Sequence, residues 1–136
     1  MNEHSFIRSI HRKLPKEIYV WKINDNYAGG VADAYYCGFK DDLWIEYKYV
    51  SLPKKDDSKV QIGLSALQVN WLSAQANRKR NVAVVVGSAE GILLLTDPKD
   101  FEKPFVTKSY FSSNAIDKDT LLSFIISITS QSDPAA

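Results

Sequence analysis

Cysteine occurs once in the 136-residue chain, at Cys37. One thiol excludes an internal disulfide and a cysteine-rich zinc framework, and it suits the reducing cytoplasm. No paired base accompanies it, so Cys37 reads as a small buried filler on a strand rather than a nucleophile. Histidine occurs twice, at His4 and His11, with no second catalytic partner recognisable nearby; both read as solvent-facing side chains or phosphate contacts. An excess of one charge is missing as well, since 17 Lys and Arg stand against 16 Asp and Glu. That balance excludes the global basic field of a nucleic-acid coat protein while leaving room for a local stripe. The longest apolar runs, "VAVVV" and "LLSFIISI", are too short to cross a bilayer. The start, "MNEHSFIRSI", lacks the charged-then-apolar pattern of a secretion signal. A soluble protein with no membrane role is expected, without internal repeats, folding as a single domain over residues 1–130 with a disordered tail at 131–136.

What is present is a succession of short periodic segments. Phe6, Ile7, Ile10 and Leu14 recur at helical spacing until Pro15 stops the pattern, which predicts a helix over residues 3–13. "IYVWKIN" reads as a first strand and runs into the turn-prone "NDNYAGG". Two further strands, Val31 to Phe39 and Leu43 to Val50, form a hairpin across "KDD". "SLPKKDDSKVQIG" reads as an exposed loop whose Lys54, Lys55 and Lys59 are solvated. "SALQVNWLSAQANRKR" predicts a second helix with a basic C-terminal end suited to the helix dipole. "NVAVVVG" is a strand covered on both faces, "GILLLTD" returns after a tight turn, and "DKDTLLSFIISITS" closes the chain as a helix. The order α-β-β-β-α-β-β-α implies an α/β class with a mixed sheet flanked by helices on both sides.

Within this frame the charges on the third strand stand out. Residues two apart in a strand share a face, so Trp44, Glu46 and Lys48 point one way while Ile45, Tyr47 and Tyr49 point the other. If the hairpin loop holds an even number of residues, Asp33 falls beside Glu46 or Lys48, with facing residues roughly 5 Å apart. Two carboxylates that close need a proton or a cation between them, and an oxygen-only donor set suits a hard divalent ion such as magnesium. The same three side chains also admit a structural reading as an ion pair with one spectator. Ser65 and Gln68 have the spacing of a capping box at the start of the second helix, which leaves Gln68 facing the sheet edge near this cluster.

The order of elements, with an aspartate opening the second strand and "(D/E)-x-K" in the third, resembles the common core of the PD-(D/E)XK nucleases. Gly30-Val31-Ala32-Asp33 stands where that family carries "G-x-P-D", Ala32 replacing the proline, and "IEYK", Ile45 to Lys48, matches its second motif. The likeness extends toward the VRR-NUC and archaeal Holliday-junction-resolvase-like branch through Ser65 and Gln68 and through "NVAVVVG", which resembles "G-x-x-V-x-V-V". It covers residues 3 to 96 and leaves the C-terminal third without support. The resemblance implies a restriction-endonuclease-like core and a Mg2+-dependent DNA endonuclease, with Mn2+ able to substitute, that leaves 5′-phosphate and 3′-hydroxyl ends. Asp33, Glu46, Lys48 and Gln68 would then form the catalytic set. Asp33, Glu46 and the Tyr47 main-chain carbonyl would hold the metal, with Glu3 from the first helix as a further candidate. Small stand-alone nucleases of this kind occur in phages and mobile elements as well as in cellular repair, and the expected compartment is the cytoplasm, that of the host where the protein is phage-encoded.

DNA is the expected partner, branched DNA in the resolvase-like version, and so small a domain is expected to act as a homodimer with two sites. The alternative is an inactive module that keeps the nuclease fold for nucleic-acid binding or assembly. Arg8, Arg12, Lys13 and Lys16, and separately Arg78, Lys79 and Arg80, form basic strips that serve either solubility or a phosphate backbone. Tyr35, Tyr36, Trp44 and Tyr49 surround the proposed site and read as packing.

Overall fold

Asn2 Oδ1 accepts the Ser5 N–H at 2.9 Å, and Ser5 Oγ accepts the Asn2 N–H at 3.0 Å. This reciprocal cap starts α1 (Glu3–His11). Its apolar positions Phe6, Ile7 and Ile10 are buried as their spacing predicts, although the helix ends two residues earlier than expected, in a tight turn before Pro15. The computed structural model describes residues 1–24 and 29–130. The turn expected through "NDNYAGG" therefore falls in part outside the described residues, and the tail at 131–136 falls wholly outside them.

A five-stranded mixed sheet is built from β1 (Tyr19–Lys22), β2 (Ala34–Cys37) and β3 (Asp42–Tyr49), an antiparallel meander, followed by β5 (Val82–Ser88) and β6 (Gly91–Leu95) in the order β1-β2-β3-β5-β6. β5 runs parallel to β3 and is reached through α2 (Ala66–Asn77), and β6 returns antiparallel at the far edge. Every residue of "VAVVVG" on β5 is buried, the signature of a strand covered on both faces. One core packs α1 and α5 (Lys118–Thr129) against Ile45, Tyr47 and Val85. The other packs α2 against Val84 and Val86, together with α3 (Pro98–Phe101) and α4 (Lys108–Asn114) through Phe101 and Phe111. The α/β class with helices on both faces is as the sequence implies.

The segment expected to be an exposed loop is partly structured. Lys59–Gln61 forms β4 and pairs antiparallel with β7 (Phe105–Thr107), burying Val60, while the adjoining Ile62 is buried too. Lys59 is exposed as expected, and its Nζ lies 4.4 Å from the Phe105 ring centroid. α3, β7 and α4 occupy the stretch between β6 and α5 that carried no expectation. Elements of three to seven residues give too few turns or alternations for a period to show.

His11 also departs from the solvent-facing reading. It is half-buried, its Nε2 lies 2.7 Å from the Tyr36 hydroxyl, and that hydroxyl in turn meets Tyr47. Burial first, and the nearby Lys22 charge second, lower its pKa to about 4, so the ring is a neutral member of a buried chain.

The β2–β3 loop clamps α5. Lys40 and Asp41 donate their N–H groups to the Thr129 carbonyl at 3.0 and 3.4 Å, and Lys40 Nζ donates to the Ser127 carbonyl at 3.0 Å, satisfying acceptors that a helix end leaves free. The approach is so close that a Cβ on Gly38 would collide with the Thr129 carbonyl, 2.7 Å from its carbon. Gly38→Ala is expected to destabilise the fold by about 1–3 kcal/mol, read as a lowered urea midpoint with an unchanged m-value.

Candidate active site

The register Ala34↔Ile45 carries Asp33, one residue before β2, opposite Glu46 on the same face of the sheet. Four residues separate the paired Cys37 and Asp42, so the loop is even, as convergence requires. Asp33 is fixed from three directions. Its Oδ2 accepts the Tyr47 N–H at 2.9 Å, its main-chain carbonyl accepts the Ile23 N–H at 2.8 Å, and its Oδ1 lies 3.8 Å from Lys22 Nζ. An extended residue turns its N–H and C=O to the same edge. The Tyr47 carbonyl therefore faces the Asp33 side of β3 rather than β5.

Glu46 is 2 % exposed. Its Oε2 accepts from Gln68 Nε2 at 3.0 Å and lies 3.6 Å from Lys48 Nζ, while Oε1 is buried with no hydrogen-bond partner among the described residues. Burial pushes the Glu46 carboxyl up to about 8, and the Asp33 charge pushes the same way. Lys48 opposes them, while the proximity of the Asp33 carboxyl, which favours the protonated form, and the more distant Glu3 charge raise it further. The Lys48 ion pair is thus outweighed, because taking a carboxylate out of water costs more than one cation at this distance returns.

Gln68 caps α2 and also reaches Glu46. Ser65 Oγ accepts the Gln68 N–H at 3.1 Å and Gln68 Oε1 accepts the Ser65 N–H at 2.9 Å. With the amide oxygen taken by the cap, the amide nitrogen is the end left to reach Glu46. Gly30, at φ +87°, lets the chain entering Asp33 lie against this turn; a Cβ there would collide with the Leu67 carbonyl and sit 3.0 Å from the Gln68 nitrogen. The glycine of "GVAD" is thus a close-packing requirement.

Glu3 stands further out, at the rim of a cavity of about 260 Å³ that it shares with His4, Lys22, Asn24, Val31 and Asp33. Among the described residues no three His, Cys, Asp or Glu side chains converge closely enough to hold a metal ion. Carboxylate donation would rest on Asp33 and Glu46. These two do fit a hard cation: the donors are all oxygens, and Glu46 Oε1 is a buried acceptor with nothing to accept among the described residues. Lys22 is a site residue that the sequence did not single out. The only signal was its place at the end of a strand that pairs Lys22↔Ala34.

Of the aromatics expected around the site, Tyr35 and Trp44 share its face, with ring centroids 4.5 Å apart. Tyr36 and Tyr49 do not, because both pack on the α1 side, Tyr36 against His11 and Tyr49 against Phe6. Cys37 is half-buried on β2. His4 is exposed, as are the four cations of the first basic strip and Arg78, Lys79 and Arg80.

No family model matches the sequence, and no curated protein matches it. Among solved structures the chain is similar to Hjc of Archaeoglobus fulgidus, a Holliday junction resolvase from an archaeal hyperthermophile, with a TM-score of 0.58 at 15 % identity over 88 % of this chain and 98 % of that one. At that identity the likeness is one of fold: the five-stranded mixed sheet with flanking helices is the architecture the two proteins share.

The raised Glu46 pKa sets a direction for stability. The folded protein holds a proton that the unfolded chain releases near 4.5, so this contribution is fully present below about pH 4.5 and is lost as pH rises through about 8. In EDTA, thermal stability is expected to fall between pH 5 and 8 by an amount on the order of a few kcal/mol. Glu46→Gln should flatten that slope. An equal slope in both proteins would show that Glu46 is not the group responsible.

Proposed function

We propose that this chain is a metal-dependent endonuclease that hydrolyses DNA phosphodiester bonds, with branched DNA such as a four-way junction as its substrate. The observation that carries the reading is the meeting of Asp33 and Glu46 on one sheet face, with Lys48 beside them. The fold shared with a Holliday junction resolvase supports it.

Asp33, Glu46 and the Tyr47 main-chain carbonyl would hold Mg2+, with Mn2+ able to take its place and Glu3 reaching the site from its rim. When bound, such an ion polarises a phosphoryl oxygen and lowers the pKa of a coordinated water. The chain's own residues supply the rest. Lys48, with its ammonium held near Glu46 Oε2, places a positive charge where the phosphate gains negative charge and can orient the attacking water. Gln68 is a positioning residue: fixed by the helix cap, it donates to Glu46 Oε2 and leaves Oε1 free to face the site. Lys22 and the Tyr47 N–H hold the Asp33 carboxylate in place. Two copies would present two sites to a symmetric junction, and the compartment would be the cytoplasm, that of the host if the gene is carried by a phage.

Plasmid nicking in Mg2+ or Mn2+, against EDTA, tests the reading. Asp33→Ala and Lys48→Ala are each expected to lose at least 100-fold in rate, on the order of one lost electrostatic contact to the reacting group. Full activity in either variant removes the mechanism. An inactive parent protein that still binds DNA would leave the nuclease fold serving as a binding module. Symmetric cutting of a synthetic four-way junction, with its linear arms left intact, would assign the branched substrate.

A further inference from the structure

A row of aromatic rings crosses the sheet on the face that carries Glu46 and Lys48. Trp21 pairs with Tyr35 across β1 and β2, and Tyr35 pairs with Trp44 across β2 and β3. Successive ring centroids lie 6.5 Å apart from Trp21 to Tyr35, 4.5 Å from Tyr35 to Trp44, and 5.3 Å from Trp44 to Trp71 on α2. α2 packs over β5 and reaches the row through Trp71, so the outer end is open: Trp21 is 48 % exposed and Tyr19, two residues before it, 61 %.

The row passes beside the proposed site. Glu46 and Lys48 follow Trp44 at two and four residues on the same face, roughly 7 and 13 Å along the strand at about 3.3 Å per residue. Two cations stand on the row's site-facing side, Lys22, next in sequence to Trp21, and Lys48. On its other side Asp42 accepts from the Tyr35 hydroxyl at 2.9 Å and Asp41 from Asn81 Nδ2 at 3.0 Å, with Arg80 and Lys40 near Asp41. A row one ring wide with cations along its site-facing side suits a single polyanionic strand with flat bases better than the broad apolar surface a second copy would need.

We propose that this aromatic row is a stacking platform for unpaired bases, so that the strand delivered to Lys48 is single-stranded beside the phosphate to be cut. The inference rests on the nuclease reading and sharpens its substrate to DNA with a splayed or flapped strand at the branch.

Anisotropy of a labelled ten-nucleotide oligothymidylate, and of a blunt duplex of the same length, tests this in EDTA, where binding is read without cleavage. The single strand is expected to bind more tightly than the duplex. Trp21→Ala and Tyr19→Ala are each expected to weaken it about 5- to 100-fold, the range for loss of one base–aromatic stack. Tyr110→Ala, which removes an exposed ring elsewhere, should leave binding unchanged. Single-strand affinity equal to the parent's in both Trp21→Ala and Tyr19→Ala, with folding verified by urea titration, overturns the platform. So does sedimentation showing that Trp21→Ala converts a dimer to a monomer, which would make the row a contact between copies. The two readings fail separately. Nicking activity with Trp21-independent binding removes only the platform, whereas Trp21-dependent binding without nicking removes only the nuclease.

Discussion

Two acids that would repel each other in any ordinary protein surface are held together because the backbone leaves them no alternative. The pairing of β2 with β3 sets Asp33 across from Glu46, and a loop of even length keeps them on one face. Burial of Glu46 then removes the water that would have screened it. Much of the local architecture answers this constraint. Lys22 and Lys48 bring opposing charge, the Tyr47 N–H and the Gln68 amide supply hydrogen bonds, and one oxygen is still left without a partner among the described residues. A site that spends folding energy to concentrate negative charge is poised to take up a proton or a cation, and which of the two it holds depends on what the surroundings offer.

Support for this pair comes from both sides of the sheet. On one, the capped start of α2 lies against the glycine that precedes Asp33, so the helix cannot shift without moving Glu46's hydrogen-bond donor. On the other, Tyr47 points into the core formed with α1 and α5 while its backbone holds Asp33. A single strand, β3, therefore connects the hydrophobic interior to the reactive face through consecutive residues. Core packing behind β3 should matter to the geometry of the carboxylates as much as contacts in front of it.

The parts of this arrangement that were legible in the sequence are those governed by a short, strict rule. Alternation along "LWIEYKY" fixed the faces of β3, Ser65 and Gln68 carried the spacing of a cap, and the unbroken apolar run of β5 announced a doubly covered strand. What stayed hidden depends on contacts between distant segments. β4 and β7 each have three residues and stabilise one another across more than forty positions, so neither carries a period of its own. Lys22 joins the site only through pairing of β1 with β2, and His11 leaves solvent only because a tyrosine hydroxyl awaits it in the core. The exposed ring of Trp21 likewise looked like ordinary strand composition until the register aligned it with Tyr35 and Trp44.

The clamp between the β2–β3 loop and the end of α5 gives the order of synthesis a part in assembly. As the polypeptide leaves the ribosome, the hairpin bearing both acids emerges long before the helix whose final carbonyl its loop grips. Until that helix follows, the hairpin lacks its tether and one of its two hydrophobic covers, and short hairpins without such support are marginal in water. The hairpin that carries the acidic pair accordingly gains this tether only once α5 has followed.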